Sequence, residues 1–97
     1  MIRSFTDKAT EDIFNGVDSK LARKRCPVQL KKIAIRKLDQ LDSVVKLTEL
    51  HIPPGNRFEA LHEDREGQYS IRVNDQYRIC FSWTESGPID VEFTDYH

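Results

Sequence analysis

The sequence predicts an α+β domain, an antiparallel sheet of about four to five strands with N-terminal helices packed on one of its faces. Residues 27–45 place Leu30, Ile33, Ala34, Leu38, Leu41 and Val45 at helical spacing, a stripe that needs a sheet to cover it. Residues 67–83 instead alternate apolar and polar side chains in two short runs, the period of half-buried strands. At 97 residues the chain is long enough to bury one core without disulfides or metal, and no repeat, low-complexity tract or linker divides it, so residues 1–97 form a single domain.

In chain order, Ile2 to Phe5 suits a short first strand. Thr6-Asp7 then reads as a helix cap, Ala9, Ile13 and Phe14 share one helical face, and Asn15-Gly16 stops the segment. The longer helix starts at Pro27, which suits a first helical position, and directs Lys31, Lys32, Arg36 and Lys37 to solvent. Val44 to Leu50 adds about one more turn of helix, and Pro54-Gly55 fits the centre of a type II turn.

The remainder reads as β: Arg57 to Leu61, Gly67 to Val73, Gln76 or Tyr77 to Trp83, and Ile89 to Asp95 after a turn at Ser86-Gly87-Pro88. Register decides which side chains reach the core, because opposed residues of an antiparallel pair point to the same face. A two-residue turn at Asn74-Asp75 would set Arg72 against Tyr77 and mix the faces. A three-residue loop, Asn74 to Gln76, pairs Val73 with Tyr77 and Ile71 with Ile79, and keeps Tyr69, Phe81 and Trp83 on the same core side. It also sets Arg72 beside Arg78 on the open face. Like charges so placed cost up to about 1 kcal/mol unless an anion, either an acid such as Glu92 or a phosphate, lies between them. In the last strand, Ile89, Val91 and Phe93 continue the core parity, and Thr94 and Tyr96 share the arginine face.

The net charge of −1 hides an asymmetry. Residues 19–37 hold eight bases and no acid, and the remaining 7 bases and 16 acids give −9. Such a stripe either binds a polyanion locally or is a solvated helix face. Cys26 and Cys80 have neither disulfide-framework nor zinc-site spacing, and no signal peptide or membrane-length apolar run is present, so a reduced, cytoplasmic protein is expected. The sequence contains no His-x-x-x-His, Cys-x-x-Cys, phosphate-binding glycine loop or nucleophile elbow, and no cofactor or metal is expected. His51 reads as a capping or exposed residue. Arginines, histidines and a tyrosine suit metal-free cleavage of RNA: a base for the 2′-hydroxyl, cations for the phosphorane, and an acid for the departing 5′-oxygen.

The segment PPGNRFEALHEDREGQYSIRVNDQYRICFSW, followed by the closing DYH, resembles the HigB (host inhibition of growth) toxins of the RelE/ParE superfamily, and the resemblance extends from the opening MIRSF to the last residue. It implies a compact RelE-like fold and a ribosome-dependent endoribonuclease that cuts translated mRNA. The implied partners are a HigA-type helix-turn-helix antitoxin, the bacterial ribosome and mRNA, with operator DNA reached only through the antitoxin and no membrane involved. It places catalytic or RNA-contacting roles on His62, Arg72, Arg78, Asp95, Tyr96 and His97. It also implies rRNA or antitoxin contacts for Arg65, Lys24 and Arg25, and the basic stripe adds Arg23, Lys31, Lys32 and Arg36 as expected ribosome or RNA contacts. The competing reading is a non-cleaving module on the same scaffold, such as a ParE-like gyrase inhibitor or an antitoxin-binding relic. An RNA-binding domain that stacks bases on aromatics is disfavoured, since sheet parity directs Tyr69, Tyr77, Phe81 and Trp83 into the core.

Overall fold

Side-chain caps define the helical half of the protein. In the computed structural model, which describes residues 1–95, Asp7 accepts a hydrogen bond from the Thr10 amide at 2.8 Å and starts α1 (Lys8–Asn15). Gly16 ends α1 in the left-handed conformation, φ 72°, as its neighbours predicted. A second helix, α2 (Lys20–Arg25), was not foreseen, because its charged sequence carries almost no apolar stripe. Ser19 starts it: the hydroxyl accepts from the Ala22 amide at 3.1 Å and donates to Asp12 of α1 at 2.7 Å, so one cap joins both helices.

Pro27 does not open the long helix. It is extended, a 3₁₀ turn at Val28–Leu30 follows, and α3 runs over Lys31–Ser43. Ala34, Leu38 and Leu41 of the expected stripe are buried, but α3 ends before Val45, which is 80% exposed. Val44, extended at ψ 142°, takes the buried position instead. The extra turn appears as a separate 3₁₀ segment, Leu47–His51, that buries Leu50. No type II turn forms at Pro54-Gly55. Pro54–Asn56 is a 3₁₀ turn, and Arg57 rather than Gly55 takes the left-handed conformation, φ 43°. Asn56 locks this irregular stretch. Fully buried, it donates to Gln40, to the Leu50 carbonyl and to the Ile52 carbonyl at 3.0–3.3 Å, and it accepts from Lys37 of α3.

The sheet is antiparallel in the order β1 (Glu59–Ala60), β2 (Gln68–Arg72), β3 (Tyr77–Thr84) and β4 (Gly87–Asp95). β1 is shorter than the expected Arg57–Leu61 run. The three-residue loop is as expected: Val73 and Tyr77 bond backbone to backbone at 3.0 Å, and Arg72 lies opposite Arg78 and Ile71 opposite Ile79. A bulge shifts the β3–β4 pairing between Cys80 and Ser82, with Asp90 at φ 53°. Its extra residue switches faces, so Ile89 lies opposite Ser82 and leaves the core parity that Val91 and Phe93 keep.

Instead of a full strand at Ile2–Phe5 there is one parallel bridge, Phe5 to Val91. That bridge, with the Thr10 hydroxyl on the Phe93 amide and Arg25 on the Phe93 carbonyl at 3.0–3.1 Å, covers the outer edge of β4. The core between helices and sheet packs Leu38 and Leu41 with Ile71, Ile79, Phe81, Val91 and Phe93. Among the described residues no helix is long and apolar enough to cross a membrane.

Asp7 holds both the α1 cap and Arg25, at 2.9 Å. Burial alone would raise its carboxyl, but the Thr10 and Arg25 hydrogen bonds outweigh it and hold the group below 3.8. Asp7→Ala is expected to cost about 1–2 kcal/mol at neutral pH in urea unfolding. A lowered carboxylate contributes in full above its unfolded pKa and loses that contribution as the pH falls through the folded one, so the gap to wild type should narrow once the pH falls below 3.8.

A candidate phosphate-binding face

Register places Ser70, Arg72, Arg78, Cys80, Glu92 and Thr94 on the sheet face turned away from the helices, with Glu59 alongside Ser70. This face is not bare, since Ser70 and Cys80 are completely buried. Two arginines roof them. Arg78, whose side chain is 12% exposed, donates through Nε to the Ser70 hydroxyl and through Nη2 to the Arg57 carbonyl, both at 2.7 Å, with Glu59 at 3.6 Å. Arg65 donates to Gln68 and to Glu92, each at 3.1 Å. Beneath them the Cys80 thiol is pushed up to about 11, chiefly by burial, with the charges of Arg65, Glu92, Arg78 and Glu59 acting in opposed directions.

Arg72 pairs with Asp75, which is 97% exposed. The repulsion between the cross-strand arginines is therefore relieved by two separate acids, Asp75 and Glu59, while Glu92, the acid expected between them, serves Arg65. Arg72, through its hydrogen bond and charge, and then Arg57 hold the Asp75 carboxyl below its usual range. Lys37 of α3, bonded to Asn56, feels the charge of Arg72. Burial, then the charges of Arg36 and Arg72, push its ammonium below the lysine range. Sequence reasoning sent Lys37 to solvent and passed over Arg57. The signal for Lys37 was its place three residues after Ala34 and four before Leu41, on the flank of the buried stripe.

The other predicted residues divide. Thr94 lies opposite Arg78, whereas Asp95 lies opposite Tyr77, on the helix-side parity, and accepts from Gln76 at 2.8 Å. Tyr96 and His97 lie outside the described residues. His62 is exposed and follows Leu61, whose amide bonds the Gln68 carbonyl at 2.8 Å. That is four residues down β2 from Arg72, about 13 Å at a strand's rise. The backbone thus does not bring His62 to the arginine pair, although the turn that follows it, Glu63–Arg65, folds back over this face through Arg65.

In the basic segment, Arg25 is tied to Asp7 and the Phe93 carbonyl, and Arg23 and Lys31 approach Asp18 at 3.5 and 4.0 Å. Lys24, Lys32 and Arg36 are exposed and have no ion-pair partner among the described residues. His51 packs edge-on against Phe58 at 4.9 Å, a packing role.

Residues 3–97 match the model of the HigB-like toxins, described as RelE-like toxins of the type II toxin–antitoxin system HigB. The chain is 41% identical to Toxin HigB-1 of Vibrio cholerae over 85 residues, 88% of this chain and 86% of that protein. An uncharacterized protein of Haemophilus influenzae is 34% identical over 73 residues, covering 75% of this chain and 71% of its own length. A solved structure of the YoeB-YefM complex from Staphylococcus aureus superposes with a TM-score of 0.60 at 14% identity, covering 100% of this chain and 98% of the other, a likeness of fold.

The arginine roof predicts the behaviour of Cys80. In a Cys26→Ala background at pH 8, native Cys80 should react with an aromatic disulfide reagent at least about tenfold more slowly than after unfolding. Arg65→Ala should recover much of that rate, and equal rates with and without Arg65 would show that the roof does not shield the thiol.

Proposed function

This chain belongs to the RelE-like HigB toxins of type II toxin–antitoxin systems, and from that premise we propose that it is a ribosome-dependent endoribonuclease that cuts translated mRNA in the cytoplasm without a metal or cofactor. The observation that carries this reading is Arg72 set against Arg78 on one sheet face, with the Arg57 backbone bonded to Arg78.

The two arginines are held differently, and this suggests different tasks. Asp75 is a solvated partner, so its pair with Arg72 contributes little, and a phosphate offering charge-assisted, bidentate bonds can displace it. Arg78 has its guanidinium committed to Ser70 and the Arg57 carbonyl, and adds a fixed positive field where the phosphorane gains charge. Proton transfer from the 2′-hydroxyl and to the departing 5′-oxygen falls to His62, Asp95, Tyr96 and His97. His62 lies at the other end of β2, about 13 Å from Arg72, and Asp95 follows Thr94, which lies opposite Arg78.

Lys24, Lys32 and Arg36, exposed and without acidic partners, are the cations available for ribosomal RNA; Arg23 and Lys31 are shared with Asp18, and Arg25 and Arg65 also hold the fold together. The neutralising partner is a HigA-type helix-turn-helix antitoxin, through which alone the toxin reaches operator DNA. The structurally similar YoeB, solved in complex with YefM, supports a partner of antitoxin type.

In a translation assay with a defined message, Arg72→Ala and Arg78→Ala should each lower cleavage about 10²-fold or more, with products bearing a 2′,3′-cyclic or 3′-phosphate and a 5′-hydroxyl. A 5′-phosphate product would exclude the mechanism. Growth inhibition that spares mRNA would favour a non-cleaving module, for which the structural ties of Arg78 offer a rationale. Lys24→Glu with Lys32→Glu should weaken ribosome binding and flatten its dependence on salt, while leaving the fold intact in circular dichroism.

A further inference from the structure

Arg57 stands at φ 43° and ψ 50°, in the left-handed region, where the Pro54–Asn56 turn hands over to β1. A long side chain is strained there by its own backbone, and glycine or asparagine would occupy the position more easily. The conformation is imposed from both sides. Asn56, fully buried and bonded to Lys37, Gln40 and the Leu50 and Ile52 carbonyls, fixes the turn before it. After it, the Arg57 carbonyl accepts from Nη2 of Arg78 at 2.7 Å. None of these contacts uses the Arg57 guanidinium. The residue is exposed and makes no ion pair among the described residues. The acid that feels its charge is Asp75, the solvated partner of Arg72.

From this placement we infer that Arg57 is a third cation of the arginine face and binds the message phosphate next to the scissile one. The inference rests on the endoribonuclease reading above and adds a residue and a substrate contact to it. Arg72 and Arg78 are assigned there to the phosphate that reacts, and single-stranded RNA brings a further phosphate with every nucleotide. A phosphate that displaces Asp75 from Arg72 removes the same acid from Arg57, which is then a cation without an anion. The strained backbone agrees with this role, because outliers of this kind persist where the surrounding contacts over-determine them and gather at ligand sites. A flanking phosphate is bound alike before and during the reaction, so Arg57 acts on substrate affinity rather than on the chemical step.

The test compares Arg57→Gly, Arg57→Asn and Arg57→Lys with wild type in single-turnover cleavage of a defined message on programmed ribosomes, over a series of toxin concentrations, and melts each purified variant. Glycine and asparagine accept the left-handed backbone and keep the carbonyl on Arg78, so both should melt at or above the wild-type temperature. Both should nevertheless need about tenfold more toxin for half-maximal cleavage, with the maximal rate within about threefold of wild type, and Arg57→Lys should stay within about threefold on both measures. Stability and affinity then move in opposite directions, which a residue that only shapes the turn cannot produce. Wild-type half-saturation in Arg57→Gly and Arg57→Asn, beside a cleavage-defective Arg72→Ala, would overturn the inference and leave the nuclease reading standing. So would variants that lose affinity only in step with their melting temperature, or an Arg57→Lys as weak as Arg57→Gly. Equal weakening of binding to ribosomes without a message would move the contact to ribosomal RNA and overturn it as well. A wild type that cuts no ribosome-bound message would overturn both readings.

Discussion

The register of one hairpin organises this molecule. Asn74 accepts from the amides of Gln76 at 2.9 Å and Tyr77 at 2.7 Å, and this small knot holds the loop between β2 and β3 at three residues. Because side chains alternate along a strand, a slip of β2 by one position against β3 would expose Ile71 and turn Arg72 toward α3. The same geometry that buries the core therefore places two guanidiniums side by side. The core supplies the energy, and the arginine pair is a consequence the fold must accommodate.

It does so by dividing the labour among cations. Arg25, Arg65 and Arg78 reach back into the fold, each bonding a carboxylate, a hydroxyl or a backbone carbonyl. Arg72, Lys24, Lys32 and Arg36 keep solvent or a solvated acid as their surroundings. A near-neutral chain can in this way present two separate positive surfaces, because its acids are spent locally beside the arginines they hold. The net charge of −1 describes neither surface.

Much of this was legible in the sequence. Alternation and the loop length together determined the hairpin register, and the apolar stripe determined the part of α3 that meets the sheet. What escaped depended on contacts distant in sequence or on single backbone angles. α2 rests on Ser19 reaching Asp12, a bond between two helices that no local pattern announces. Val44 replaces Val45 because α3 stops at Ser43, and Ile89 changes faces because one residue, Asp90, adopts a positive φ. At the candidate site, the arginine pair could be read from alternation and loop length together. The burial of Lys37 could not, since it comes through Asn56, buried in an irregular loop between α3 and the sheet. The distance of His62 from the pair follows from counting along β2, which requires the true extent of β1.

The sheet has two very different edges. β4 is sealed by the N-terminal segment, Thr10 and Arg25, whereas β1, at the other side, is only Glu59–Ala60, both exposed. An exposed strand edge is a template on which another polypeptide can add itself, and its hazard grows with length and with apolar character. Here it is two residues long and sits among Glu59, Glu63, Asp64 and Glu66. Two copies meeting edge to edge would bring four carboxylates against four with little backbone to pair. The acids beside β1 thus oppose edge-to-edge pairing of two copies, and the shortness of the strand leaves such a pairing little to gain.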